Sequence, residues 1–91
     1  MNASAVETAA KNVQVVLYGK PGCHLCEEAY ETLCRVQVLK PCELTLIDIR
    51  TDPELFAEYA ESIPVVEVAG KQFCKYRVDE ARLKQRLEEV N

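Results

Sequence analysis

Long apolar runs and positive charge are both scarce in this sequence. No run approaches the ~20 residues that a membrane-spanning helix needs, and 11 lysines and arginines stand against 15 aspartates and glutamates, a net charge of −4. This balance opposes binding to nucleic acid or to anionic membranes, which attract proteins through basic residues. We therefore expect neither partner. Residues 1–12 lack the basic start and apolar centre of a secretory signal, which predicts a cytoplasmic protein.

The chain is also too short for two domains, with 91 residues of which 48% are apolar and 29% charged. We expect a flexible tail over residues 1–12 and one compact, monomeric domain over residues 13–91. Five cysteines form an odd set without the regular pairs of a secreted disulfide framework. Free thiols in a reducing compartment are therefore expected.

Cys23 and Cys26 are the most informative residues, since two thiols with this spacing lie one helical turn apart. Residues 13–18 predict a buried strand, residues 19–22 a turn, and a helix is predicted from Cys23 to about Val38. Unpaired N–H groups and the helix dipole favour a thiolate at a helix N-terminus. Cys23 is therefore the predicted nucleophile, and Cys26 can attack the mixed disulfide that Cys23 forms.

The remaining pattern predicts the element order βαβαββα. A second strand over residues 44–49 is followed by a short helix that opens at Asp52 and ends near Ser62. Residues 65–68 and 72–76 predict an antiparallel hairpin, and Asp79 can cap a last helix. The apolar face of that helix is predicted to carry Leu83, Leu87 and Val90.

Two segments then carry a family resemblance: Leu17-Tyr18-Gly19-Lys20-Pro21-Gly22-Cys23-His24-Leu25-Cys26 and Ser62-Ile63-Pro64-Val65. Together with the strand–hairpin–helix ending, they resemble the glutaredoxin-like proteins of the thioredoxin superfamily, across nearly all of residues 13–90. The resemblance implies an α/β, thioredoxin-like fold, a mixed four-stranded sheet flanked by helices. It also implies a cis Pro64 against the cysteines, an Ile63 backbone that meets an extended substrate, and a Lys20 near the thiolate and the glutathione carboxylate.

The sequence departs from the glutaredoxin pattern at positions that bear on the substrate. His24 and Leu25 stand where a proline and an aromatic residue are usual, and the Gly-Gly-acid segment that helps to hold glutathione is missing. Glu27 and Glu28 add negative charge, which opposes anionic glutathione. Glutathione is therefore a candidate co-substrate only. His24 either stabilises the thiolate when protonated or is an exposed residue of the first helical turn.

The sequence predicts a thiol–disulfide oxidoreductase without a bound cofactor. Cys23 and Cys26 are the predicted catalytic residues, and Lys20, His24, Ile63 and Pro64 are predicted to face the substrate. The substrate is a disulfide-containing protein or a glutathione mixed disulfide, and a cellular reductant restores the dithiol. Two alternatives remain open: a non-catalytic module that holds a metal or iron–sulfur cluster between two chains, and a redox-sensing adaptor. No metal ligands are assigned, because zinc needs four and there is no second Cys-x-x-Cys.

The other cysteines and the aromatic residues have predicted packing roles. Cys34, Cys42 and Cys74 are expected to be buried as small apolar residues. The hairpin that carries Cys74 is expected to run beside the active-site end of the fold. Core positions are also predicted for four aromatic residues: Tyr18, Phe56, Tyr59 and Phe73.

Overall fold

A computed structural model describes residues 13–90, which form a four-stranded mixed sheet and three α-helices in the predicted order. The elements are β1 (Gln14–Gly19), α1 (His24–Leu39), β2 (Glu43–Asp48), α2 (Pro53–Tyr59), β3 (Val65–Val68), β4 (Lys71–Lys75) and α3 (Glu80–Val90). The predicted tail over residues 1–12 lies outside the described residues. Within residues 13–90, no helix is both long enough and apolar enough to cross a membrane.

The strands lie in the order β2-β1-β3-β4. β1 pairs parallel to β2, as expected when a helix connects two neighbouring strands, and antiparallel to β3. β3 and β4 form the predicted hairpin. Its turn residues Ala69 and Gly70 both have positive φ, at 54° and 82°, which is the backbone geometry of a tight hairpin turn.

Side chains along β1 alternate between the two faces of the sheet, so they contribute to two separate core clusters. Val15 and Leu17 face the larger cluster, which the sheet forms with α1 and α3, whereas Tyr18 faces the opposite side and packs with residues of α2. The buried members of the larger cluster are Val13, Val15, Leu17, Ala29, Leu33, Val36, Cys42, Val66, Val68, Leu83 and Leu87. The smaller cluster lies at the carboxyl end of β1 and includes Cys26.

Helix starts agree with the sequence signals to within one residue. Cys23 is the N-cap of α1 and not its first residue, because its backbone is extended and its sulfur takes the capping position. Asp52 caps α2 and is followed by Pro53, as predicted. At α3, the carboxylate of Asp79 accepts the N–H of Arg82 at 3.2 Å.

Ile49, Phe56 and Val90 do not lie where the sequence predicts. Ile49 lies in a 3₁₀ turn (Ile49–Thr51) and not in the second strand, because Asp48 caps that turn by accepting the N–H of Arg50. Phe56 is 45% exposed, because Leu55 and Tyr59, and not Phe56, lie on the side of α2 that packs against the smaller cluster. Val90 is 40% exposed at the last turn of α3, beyond the reach of the core that covers Leu83 and Leu87.

Candidate functional site

Cys23 and Cys26 form a disulfide at the N-terminus of α1, with their Cα atoms 5.2 Å apart. The Sγ of Cys23 also accepts the backbone N–H of Cys26 at 3.2 Å. This N–H is one of the donors that the first turn of a helix leaves without a backbone partner. The sulfur of Cys23 therefore lies where it receives both a hydrogen bond and the positive end of the helix dipole.

The two sulfur-bearing residues differ in exposure. Cys26 is buried, with 7% of its surface exposed, and it packs against Ile49 and Ile63. Cys23 is half-buried at the edge of the same cluster. An incoming disulfide therefore has better access to Cys23 than to Cys26.

The segment around Pro64 is held by the residue that follows β4. The Ile63–Pro64 peptide bond is cis, as the resemblance implied. The backbone N–H of Tyr76 donates to the carbonyl of Pro64 at 2.8 Å, and the hydroxyl of Tyr76 donates to the carbonyl of Glu61 at 3.2 Å. Ile63 packs in the same cluster as Cys26, so these contacts position one wall of the site.

His24 is exposed and contacts an acid on its own helix. Its Nε2 lies 2.9 Å from Glu28 Oε2, one helical turn further along α1. The other carboxylate oxygen of Glu28 lies 3.5 Å from Nη1 of Arg77. Glu28 therefore has a cationic partner, which reduces the repulsion that Glu27 and Glu28 were predicted to exert on an anionic substrate.

Tyr18 lies under the site on the face that α2 covers. Its hydroxyl donates to Glu67 Oε1 at 3.2 Å, and its ring centroid is 4.9 Å from that of Tyr59. Burial, and secondly the nearby carboxylate of Glu67, raises the pKa of Tyr18. The phenol is therefore held in its protonated form as a packing and hydrogen-bonding group.

The other three cysteines are not part of the cluster around Cys26. Cys42 is buried, whereas Cys34 and Cys74 are only half-buried. Cys74 is opposite Val66 on β4 and packs against the larger core cluster. The end of its hairpin reaches the site, as predicted, because the N–H of Tyr76 donates to the carbonyl of Pro64. Burial raises the pKa of the Cys74 thiol to about 11. A protonated, half-buried thiol is poorly reactive.

The predicted site residues are brought together only in part. Ile63 and Cys23 lie in the cluster around Cys26, whereas Lys20 and His24 are exposed at the turn and at the start of α1. Arg77 and Tyr76 were not among the predicted site residues. The i, i+4 spacing of His24 and Glu28 indicates that these two side chains can pair on one helix face. No local pattern indicates that Arg77 and Tyr76, which follow β4, contact the site.

Metal-ligating side chains do not cluster in the described part of the chain. Within residues 13–90 there is no group of three or more histidine, cysteine, aspartate or glutamate side chains that could hold a metal ion. Residues 13–90 of a single chain therefore contain no set of side chains that could ligate a metal ion.

The architecture defines a thioredoxin-like protein with a cysteine pair at the start of its first helix. A thioredoxin from Halobacterium salinarum NRC-1 shares this fold, with a TM-score of 0.66 and 16% identity over 98% of this chain and 84% of that one. The family model described as "Glutaredoxin-like domain (DUF836)" matches residues 14–88. The chain belongs to this glutaredoxin-like family.

Two relatives are similar at the level of sequence. Protein Ne2328 from Nitrosomonas europaea, solved by NMR, is 31% identical with a TM-score of 0.73, over 84% of this chain and 92% of that one. The uncharacterized protein Rv0508 of Mycobacterium tuberculosis is 30% identical over 76 residues, 78% of each chain. The fold and the cysteine pair together support a redox role.

Proposed function

We propose that this protein is a thiol–disulfide oxidoreductase that uses Cys23 and Cys26 as a catalytic dithiol. The observation that carries the proposal is the capping position of the Cys23 sulfur, which accepts the N–H of Cys26 at 3.2 Å. In the reduced protein, the same N–H would donate to the Cys23 thiolate. A hydrogen bond to the charged form and the helix dipole both favour the ionised sulfur.

The reaction proceeds in two exchanges. The Cys23 thiolate attacks one sulfur of the substrate disulfide, forms a mixed disulfide, and releases the first substrate thiolate, which takes up a proton from solvent. Cys26 then loses its proton and attacks the sulfur of Cys23, which releases the second substrate thiolate. The substrate gains two electrons and the protein becomes the Cys23–Cys26 disulfide. Two equivalents of a cellular thiol reductant restore the dithiol by the reverse exchange.

The substrate side of the site is proposed to comprise Ile63, Pro64, Lys20 and His24. Ile63 packs in the same cluster as Cys26 and Pro64 follows it directly, so an extended substrate segment passing them would present its sulfur to Cys23. Lys20 supplies positive charge at the turn before α1. His24, paired with Glu28, supplies a cation when protonated. We also propose that the protein acts as a monomer in the cytoplasm, a compartment in which thiols stay reduced. Glutathione mixed disulfides are proposed to be among its substrates.

The test measures reduction of a protein disulfide and of a glutathione mixed disulfide by the wild type, Cys23→Ser and Cys26→Ser. We expect Cys23→Ser to abolish both activities. Loss of the protein activity in Cys26→Ser as well indicates a dithiol route, whereas retained glutathione activity in that variant indicates a monothiol route. A Cys34→Ser variant is the matched control and should keep both activities. An active Cys23→Ser protein with an inactive Cys26→Ser protein would show that the nucleophile is misassigned.

The two alternative functions give different results in the same preparation. Tightly bound zinc or an iron–sulfur cluster, with no disulfide turnover, would replace the enzyme proposal with a metal-binding module. A disulfide that changes a partner's affinity, again with no turnover, would indicate a redox-sensing adaptor. Metal analysis and an absorption spectrum of the purified protein should therefore accompany the kinetics.

A further inference from the structure

A groove of about 460 Å³ lies between the first turns of α1 and strand β2. It reaches the functional site at Cys26, from the side of Lys20 and Pro21, and is distinct from the wall formed by Ile63. Its lining residues include Leu17, Tyr30 and Leu46, which give it an apolar surface. The volume falls in the range of about 300–1,000 Å³ that is typical of ligand sites.

Two of the apolar residues in the groove are largely exposed. Leu46 on β2 is 54% exposed and Tyr30 on α1 is 42% exposed. Leu17 forms the buried base between them. Adjacent exposed apolar side chains around a concavity are typical of a surface that another molecule covers.

The groove borders a strand with a free edge. Within residues 13–90, β2 is the outer strand of the sheet and pairs only with β1. Leu46 is in register with Leu17, so both side chains are on the sheet face that α1 covers. An added strand beside β2 would place every second side chain on this face, next to Leu46.

The charge along the α1 side of the groove indicates the nature of the occupant. Glu27 and Glu31 lie one helical turn apart, and among the described residues neither has an ion pair or a side-chain hydrogen bond. Asp48, on the β2 side, is held by Arg50 through hydrogen bonds of 2.8–3.2 Å. Lys20 also lines the groove and offsets one of these two charges, so a net negative charge remains. This charge favours a cation on the occupant. A second copy is disfavoured, because each chain carries a net charge of −4.

We propose that the groove and the outer edge of β2 bind an extended segment of the disulfide-bearing protein substrate, one that carries an apolar side chain close to a basic one. The apolar side chain would lie between Leu46 and Tyr30, and the basic side chain would lie against Glu27 and Glu31. This inference rests on the proposed function, because it names the class of protein disulfide that the site selects.

The test uses a short fluorescent peptide without cysteine, in which leucine and threonine alternate and a lysine stands at each end. Its counterpart has glutamate in place of lysine. We expect the lysine peptide to bind the oxidised wild-type protein at low salt and to weaken as salt is added. Backbone amide shifts in NMR spectra should lie along β2 and the first turns of α1. Equal binding of the two peptides, or shifts along β4 instead, would overturn the proposal.

Two matched pairs of variants test the side chains. Glu27→Gln with Glu31→Gln should weaken binding of the lysine peptide about threefold to tenfold, as two exposed ion pairs are lost. The control, Glu54→Gln with Glu58→Gln, makes the same charge change on α2 and should leave affinity unchanged. Leu46→Thr should also weaken binding, whereas Leu39→Thr, at a residue of similar exposure (60% against 54%), should not. An equal loss in either control would contradict the assignment.

Turnover is measured separately, so that the two proposals can fail independently. A protein that reduces disulfides but does not bind the lysine peptide overturns the groove proposal alone. A protein that binds the peptide but has no turnover overturns the proposed function. The bound segment could then no longer be assigned to a disulfide substrate.

Discussion

A Cβ atom added at Gly19 would lie 2.9 Å from the Sγ of Cys26 and 3.2 Å from its Cβ. Real Cβ atoms essentially never come within 3.0 Å of such an atom, so the last residue of β1 has no room for a side chain unless Cys26 moves. The strand that leads into the site therefore contacts the buried cysteine directly through its backbone. Cys26 is fixed from this side as well as from the side of Ile63.

Gly19→Ala is expected to displace the Cys26 sulfur. Overpacking of this kind costs about 1–3 kcal/mol of stability, and it should also slow closure of the Cys23–Cys26 disulfide. Denaturant unfolding and the rate of disulfide formation measure the two effects. Gly70→Ala is the control, because its positive φ of 82° makes a side chain costly while nothing lies within 4 Å. The Gly70→Ala variant should lose stability but form the disulfide at the normal rate. Equal rates of disulfide formation in the two variants would contradict the close contact between Gly19 and Cys26.

Arg77→Ala is expected to slow reduction of an anionic disulfide. The substitution removes the guanidinium that lies 3.5 Å from the carboxylate of Glu28 and leaves only the contact with His24, so more negative charge remains beside the site. Because the pair is exposed, the effect on kcat/KM for a glutathione mixed disulfide should not exceed about fivefold. Arg35→Ala removes a similar exposed pair with Glu80 and serves as the control. The decrease should shrink in high salt, and a salt-independent decrease would argue against an electrostatic cause.

Cys74 should make stability fall at alkaline pH. Its pKa is about 11 in the folded protein against an ordinary value of 9.0, because burial disfavours the thiolate. Below pH 9 the thiol is protonated in both states and contributes no pH dependence. Between these values the unfolded chain ionises while the folded chain does not, so the free energy of unfolding falls as pH rises.

The Cys74→Ala variant lacks this ionisation. Its free energy of unfolding, measured in urea, should therefore approach that of the wild type between pH 9 and pH 11. Val78→Ala, at a partly buried position in the same core, has no titrating group and should stay at a constant offset from the wild type. Parallel curves for Cys74→Ala and the wild type would contradict the assigned pKa.

Asp52→Ala is expected to destabilise the protein by about 1 kcal/mol, since it removes an N-cap. The carboxylate of Asp52 accepts the N–H of Glu54 at 2.9 Å at the start of α2. An asparagine at this position would keep a capping oxygen, so Asp52→Asn should stay close to the wild type. Urea unfolding measures both variants. Equal losses for the alanine and asparagine variants would mean that charge, and not the cap, is responsible.

Much of the fold could be predicted because its signals are local. The Cys23–Cys26 spacing, the Asp52-Pro53 helix start and the Ala69-Gly70 turn each concern neighbouring residues, and the structure has all three. The cis bond before Pro64 was correct only through the family resemblance, because no local pattern predicts it.

The parts that could not be predicted depend on contacts between distant segments. Arg77 meets Glu28 across 49 positions of sequence, and Tyr76 holds Pro64 through its backbone N–H, which has no compositional signal. The prediction of a core position for Phe56 rests on its spacing and on the usual packing role of an aromatic ring. Its exposure depends on how little of α2 the sheet covers, and that is known only from the packed structure.

Cys26 owes its burial to Ile49 and Ile63, which both come later in the chain. Since synthesis begins at the amino end, an unfinished chain that stops before Ile63 carries both thiols without this cover. Oxidants and stray metal ions in the cell can reach the thiols during that interval. Until translation has passed Ile63, the fold itself does not shield the sulfur of Cys26.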